Sequence, residues 1–322
     1  MANQYTSTDP STLGTDLVQA AYDRKIRFAL RATPMFRSIA DSRPEQQTNP
    51  GDSVTFQFYN DLAPATSELD ELTDPDAVSI PSTSNVSVTL REYGNPVLMT
   101  RKLRMFALSD VDQAVSNMVA YNMRDSIDGI VGPILNGGTN VMRRNSSTLR
   151  SNLIAAGAGT TGAITSADTL SSPMVRLGVT KLRGAKVIPR QADLFTSFLH
   201  PDCSHDLKAE TGSAAWRDPH NLSGADAIWA GQLGIYEGAH FVESPRIISA
   251  TDGNSSTRVY RNLMFGREAL AEAVAEEPTI VIGNVTDKLM RYTPISWRAT
   301  LGWSIFRQAA LIRMETASSV SL

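Results

Sequence analysis

The chain has one cysteine, Cys203, in 322 residues, which excludes an intrachain disulfide framework and any CxxC metal or redox site. It has no run of 18 apolar residues, so no segment reads as a membrane span. Its first residues, MANQYTSTDPSTLGTD, lack the basic start and apolar core of a secretory signal, so synthesis without export, in a cytoplasm, is expected. The sequons at Asn85, Asn145, Asn221 and Asn254 then carry no weight. Basic residues are missing altogether between Arg43 and Arg91, a stretch that holds Glu45, Asp52, Asp61, Glu68, Asp70, Glu71, Asp74 and Asp76.

What is present is a chain with 42% hydrophobic residues, enough to bury a substantial core in one large or two ordinary domains. The net charge of −3 conceals segregation, because a basic cluster (Arg24, Lys25, Arg27, Arg31, Arg37, Arg43) precedes the acidic stretch. Within a chain or between chains the two could pair. An acidic protein overall is a poor nucleic-acid binder, since that affinity requires many Lys and Arg to neutralise phosphates.

Along the chain, Val18, Tyr22, Ile26 and Leu30 recur at i, i+4 and predict an amphipathic helix that Thr33-Pro34 ends. Val54 to Tyr59, and the alternating Val86, Val88 and Leu90, predict two strands. The loop of about 25 residues between them is far beyond an ordinary hairpin connection. Ser109 caps a helix with Val111, Val115, Val119, Met123, Ile127, Val131 and Leu135 in an unbroken ladder, about 40 Å long if straight. Each step overshoots a turn, so no single flat partner can cover the stripe, and Gly129, Gly132 and Pro133 are expected to kink or end the last turns. Asn136 to Thr165 reads as a low-complexity loop, and Ser171-Ser172-Pro173 starts a helix that Gly184 stops. Leu194 to Leu199 reads as a buried strand and Ala269 to Ala275 as a short helical piece. Thr279 to Ile282, Ile295 to Phe306 and Ala309 to Met314 read as strands. The order is α+β, without regular βαβ repetition.

His200, Asp202, Cys203 and His205 offer zinc-ligand chemistry within six residues, but such close spacing around Pro201 rarely converges on one tetrahedral centre. A turn with a half-buried cysteine is the plainer reading. A Cys/His nucleophilic pair needs an orienting third group, and the carboxylates from Glu68 to Asp76 have nothing nearby to raise a pKa for glycoside chemistry. We therefore expect no catalytic residue, no metal and no cofactor.

Trp216 to Arg246 (WRDPHNLSGADAIWAGQLGIYEGAHFVESPR) reads as an irregular loop, a helical turn and a hairpin across Glu237-Gly238-Ala239, without reactive groups. It resembles the A-domain of major capsid proteins of tailed double-stranded DNA bacteriophages, which share the Hong Kong 97-like fold. Similar matches fall at Tyr93-Gly94 with Val97 to Thr100, His200-Pro201-Asp202, Phe265-Gly266-Arg267-Glu268-Ala269, Ser296-Trp297-Arg298-Ala299 and Arg313-Met314-Glu315. Arg101 stands where an aspartate is common in those proteins. The resemblance implies an N-terminal arm (1–47), P-domain strands with an extended E-loop (48–107) and a spine helix (108–136). It further implies a Gly/Ser/Thr-rich loop (137–170), an A-domain (171–276) and returning C-terminal strands (277–322).

The function implied is a subunit that self-assembles through pentamers and hexamers into the icosahedral head around the DNA genome, in the host bacterial cytoplasm. A separate scaffolding protein, a portal and a decoration or cementing protein are the implied partners, with at most non-specific contact to packaged DNA. A nanocompartment shell of the same fold enclosing a cargo enzyme is the alternative, and a metal-dependent hydrolase using His200 a distant one. Contact candidates between subunits are the carboxylates Glu68, Asp70, Glu71, Asp74 and Asp76, the cations Arg24, Lys25, Arg27 and Arg31, and the stripe of Val18, Tyr22, Ile26 and Leu30.

Overall fold

The computed structural model describes residues 31–42, 52–59, 61–66, 68, 71–72, 74, 77–106, 111–143, 161–210, 234–284, 287, 289 and 291–320. The expected helix around Val18 to Leu30, and most of the distinctive segment from Trp216, lie outside these residues. The first half of the chain gives strands β1 (Ala40–Ser42), β2 (Ser53–Phe58), β3 (Ser84–Thr89) and β4 (Arg91–Thr100). Helices α1 (Arg101–Phe106) and α2 (Val111–Asn136) and strand β5 (Val141–Arg143) follow. Next come helix α3 (Ser172–Gly184), β6 (Phe195–Leu199), helix α4 (Pro201–Ala209), and the short β7 (Ile235–Tyr236), β8 (Ala239–Glu243) and β9 (Ser249–Ala250). The chain closes with β10 (Val259–Phe265), β11 (Leu270–Ile282), β12 (Tyr292–Ile305) and β13 (Leu311–Thr316). Among the described residues no helix is long and apolar enough to cross a membrane.

One sheet has the order β1-β11-β12-β4, with β1 parallel to β11 and the other pairs antiparallel. A second has the order β5-β13-β10-β6-β8-β7, with β9 on β10, and the third is the β2–β3 pair. The helix expected over Ala269 to Ala275 is wrong, because Leu270 to Ile282 is one long strand. Alanine and glutamate favour helix locally, yet Leu270, Ala273 and Val274 are buried as rungs opposite Ile305, Gly302 and Leu301, and that packing overrides propensity. The division expected between residues 276 and 277 falls inside this strand. The hairpin expected around Glu237-Gly238 is present: Tyr236 faces Ala239, and both turn residues have positive φ (50° and 84°), the geometry that matches strand twist.

Helix α2 joins the first two sheets. Val119, Ile127, Val131 and Leu135 share one core with Trp297 and Leu301 of the first sheet and Phe198 and Leu263 of the second. The winding stripe thus finds several partners, as its geometry requires. The helix runs through Pro133 to Asn136, the end expected for the spine helix, and does not stop at the proline. Pro133 removes the donor for the carbonyl of Gly129, and both residues lie on the exposed face, so water can satisfy that carbonyl. Gly132 lies against Phe36 and Ile248, where an added Cβ would make ordinary van der Waals contact at 3.4 Å. Lys102 sits in the short, fully exposed helix α1.

Candidate functional site

The long loop between β2 and β3 begins from a firmly seated root. Val54, Phe56, Val88 and Leu90 alternate onto one face and pack on Ala271, Ala273 and Phe306. The Phe306 ring lies edge-on to Phe56 at 6.1 Å and to Phe58 at 5.5 Å, and the Arg307 guanidinium covers Phe58 at 5.4 Å. Gly302 allows this seating, since a Cβ there would meet the Thr89 carbonyl oxygen at 2.3 Å. The two strands register from Ser53↔Thr89 to Phe58↔Ser84, and residues 59–83 connect their free ends.

Beyond the root, every described residue from Asp61 to Ile80 is exposed. Leu72 is 93% exposed, Ile80 83% and Val78 78%, so they present apolar surface to solvent among the described residues. Glu68, Glu71 and Asp74 are exposed too, and none of the three forms an ion pair among the described residues. Asp70 and Asp76 lie outside the described residues. So do Arg24, Lys25 and Arg27 of the cation set, and the whole stripe of Val18, Tyr22, Ile26 and Leu30.

Arg31 is placed on its own subunit: its guanidinium sits 4.4 Å from the centre of the Tyr121 ring of α2, whose hydroxyl donates to the Ala32 carbonyl at 3.2 Å. Downstream, Phe36 and Ile39 are buried, and the Asp128 carboxylate accepts from the Phe36 N–H at 2.6 Å and the Met35 N–H at 3.1 Å. Its second oxygen takes Arg246 Nε at 2.6 Å, while Arg246 also reaches Asp125 at 2.6 Å. Burial opposes the Arg246 charge, and the bonds from Asp125 and Asp128 outweigh it, holding its pKa above the ordinary value. Arg37 behaves alike, held charged against burial by Glu272 at 2.7 Å and Glu277 at 2.9 Å. Burial pushes the Glu272 pKa upward although Arg37 and the Trp303 indole N–H both favour its charged form. The incoming segment, whose Phe36–Ile39 form a 3-10 turn, is thus pinned to α2 and to the first sheet, while Asp128 and Asp125 tie α2 to Arg246 of the loop after β8.

The His200 group is a helix cap. His200 Nδ1 accepts from the Asp202 N–H at 3.2 Å, and its ring lies 4.6 Å from that of Tyr260. The Tyr260 hydroxyl donates to Asp202 at 2.5 Å. Cys203 is fully buried rather than half-buried, and burial pushes its thiol up to about 12, so no thiolate nucleophile exists near neutrality. His205 points to solvent, and no metal-holding group of His, Cys, Asp or Glu occurs among the described residues.

Sequence reasoning missed α1. Leu103, Met105 and Phe106 on it are exposed beside Arg101, Lys102 and Arg104, with Arg291 and Tyr292 at the start of β12 alongside. The signal was available as a basic and apolar run, Arg101 to Phe106, in a chain otherwise acidic over the preceding half-hundred residues.

No curated protein sequence matches the chain. Its structure is similar to solved phage capsids at low identity. The capsid of cyanophage Pam1 superposes with a TM-score of 0.72 at 16% identity, covering 100% of both chains. That of Ralstonia phage GP4 gives 0.71 at 14%, covering 97% of this chain and 98% of the other. That of cyanophage P-SCSP1u gives 0.71 at 15%, covering 95% and 94%. These likenesses fix the fold as Hong Kong 97-like. Residues 33–318 also match the phage capsid protein family model. With that match running from the pinned segment before β1 to the end of the last sheet, the chain belongs to the phage capsid protein family and is a structural subunit of a virion shell.

Proposed function

We propose that the chain builds an icosahedral head by association with copies of itself, as pentamers and hexamers, around a double-stranded DNA genome in the host bacterial cytoplasm. The observation that carries this reading is the loop 59–83, a long, acidic connection whose Val78 and Ile80 present exposed apolar surface among the described residues. Contacts that are individually modest become decisive when each subunit is held at several edges at once. The carboxylates Glu68, Asp70, Glu71, Asp74 and Asp76 then meet Arg or Lys of neighbouring subunits. Each exposed pair contributes only about 0 to 1 kcal/mol, so the set favours register and assembly rate over strength. The stripe of Val18, Tyr22, Ile26 and Leu30 is a second surface for burial against another element or subunit, with Arg24, Lys25 and Arg27 beside it. A scaffolding protein, a portal and a decoration or cementing protein complete the set of partners, and no cofactor or catalysis enters. Electron cryomicroscopy of the purified protein under assembly conditions should reveal closed shells of pentamers and hexamers. A strictly monomeric protein, by microscopy and light scattering, would refute the proposal.

A further inference from the structure

Strand β11 changes character at its middle. Residues 270–274 are all buried, and there the strand is paired with β1 as far as Glu272 on one side and with β12 on the other. Of residues 275–282 none is buried, and among the described residues β12 is their only strand partner. Between the two halves the register slips twice: Val274 pairs with Leu301 and Thr279 with Arg298, so β11 carries two more residues than β12 across the same span. Such bulges bend a strand and leave residues out of the ladder, and Pro278, inside the second slip, has no N–H to offer it.

The bulged residues rest on little. Glu277 and Pro278 border a cleft of about 370 Å³ whose other walls include Met35 and Ser38 of the incoming segment and Met123 and Ile127 of α2. Two ion pairs hold them in place: Glu276 takes Arg298 Nε at 2.8 Å, and Glu277, its side chain 64% exposed, takes Arg37 Nη2 at 2.9 Å. Arg37 grips the inner half of the strand as well, through Nε to the buried Glu272 at 2.7 Å, which the Trp303 indole N–H also holds at 3.1 Å. The two carboxylates on this guanidinium are therefore unequal. The bond to Glu272 is buried and costly to break, whereas an exposed pair such as Arg37 with Glu277 is weak and screened by salt.

We propose that the double bulge at residues 275–278 is a hinge on which the outer half of β11 swings over the cleft beside α2, with Arg37 as its latch, anchored on Glu272 and releasing at Glu277. A closely packed element cannot turn without a large cost, but here the cleft leaves room and the outer half has no buried residue to lift out. Arg37 follows Phe36, whose N–H is held by Asp128, so the latch also links the seating of the incoming segment to the angle of the sheet. The consequence for function rests on the self-assembly proposed above: a hinge of this kind lets one sequence meet the different neighbours of a pentamer and a hexamer.

Hydrogen exchange of the unassembled subunit, read by mass spectrometry, tests the hinge directly. Amides of residues 276–282 should exchange ahead of those of 270–274. E277Q changes an exposed side chain, so the fold is retained, and it should speed exchange over 276–282 by about two- to fivefold at low salt, the gap to wild type closing at high salt while 270–274 stay unmoved. The reach of the effect matters: a change confined to 276–278 is local fraying and overturns the hinge. S38C/P278C places a thiol on each wall of the cleft, and the native Cys203 is buried, so a short bis-maleimide joins only the new pair. Linked subunits should show slowed exchange over 276–282 and form no closed shells by light scattering and microscopy, while the unlinked variant assembles. Equal exchange in the two halves of wild-type β11, an E277Q rate unaltered at low salt, or linked subunits that close into normal shells would each overturn the inference and leave self-assembly standing. A wild-type chain that forms no shell would refute the self-assembly reading, and the two exchange measurements would then decide the hinge by themselves.

Discussion

Asp128→Ala is the most informative single perturbation of the folded subunit. Asp128 is 2% exposed and accepts the Met35 and Phe36 N–H groups on one oxygen and Arg246 Nε on the other. Removing the carboxylate leaves two backbone donors unsatisfied and a largely buried guanidinium holding only Asp125. Breaking a buried pair from one side costs about 3–5 kcal/mol, because the remaining charge stays desolvated. Asp128→Asn separates the contributions. Its amide oxygen can still accept both N–H groups, but its NH2 then faces the Arg246 donor, so a loss of about 1.5–3 kcal/mol is expected for the charged hydrogen bond alone. Asp125→Ala removes a carboxylate whose side chain is 44% exposed and should cost no more than about 1 kcal/mol. Urea unfolding of unassembled subunits, followed by far-ultraviolet circular dichroism, should rank the losses as D128A, then D128N, then D125A. Hydrogen exchange should show residues 34–39 opening first in D128A. A D128A variant within about 1 kcal/mol of D125A would refute the assignment of Asp128 as the clamp between the incoming segment, α2 and Arg246.

Two further outcomes follow from the His200 turn. Burial lowers the His200 pKa below its ordinary 6.5, so its neutral form is favoured in the fold. That contribution is present above about pH 6.5 and is lost as pH falls through the lower folded value. Protonation also abolishes the Nδ1 acceptor that caps α4, so thermal stability should fall more steeply from pH 6.5 to 5 in wild type than in H200N; parallel slopes would dismiss the cap as pH-sensitive. Cys203, with its thiol pushed up to about 12 and its side chain buried, should resist a thiol-specific chromogenic reagent at pH 8 until denaturant is added, and rapid labelling of the native protein would contradict its placement.

Much of the architecture follows from local pattern. Alternation at Val86, Val88 and Leu90 determines which face of β3 is buried, since side chains on a strand alternate, and the ladder from Val119 to Leu135 determines which stripe of α2 must be covered. The length of the loop after Phe58 and its lack of cations are properties of the sequence alone, and so is the absence of a disulfide. Tertiary structure decided the rest, because the deciding partners are distant in sequence. Ala269 to Ala275 becomes strand only when Ile305 and Leu301 arrive beside it, a neighbour effect stronger than the few tenths of a kcal/mol per residue by which its alanines and glutamates favour helix. Asp128 meets Arg246 across 118 residues and Phe36 across 92, so no spacing rule could pair them. The basic and apolar surface around α1 likewise exists only because β4 and β12 lie side by side, bringing Arg291 and Tyr292 next to Arg101: charge and apolarity were written at each site, but their convergence on one surface is a property of the sheet.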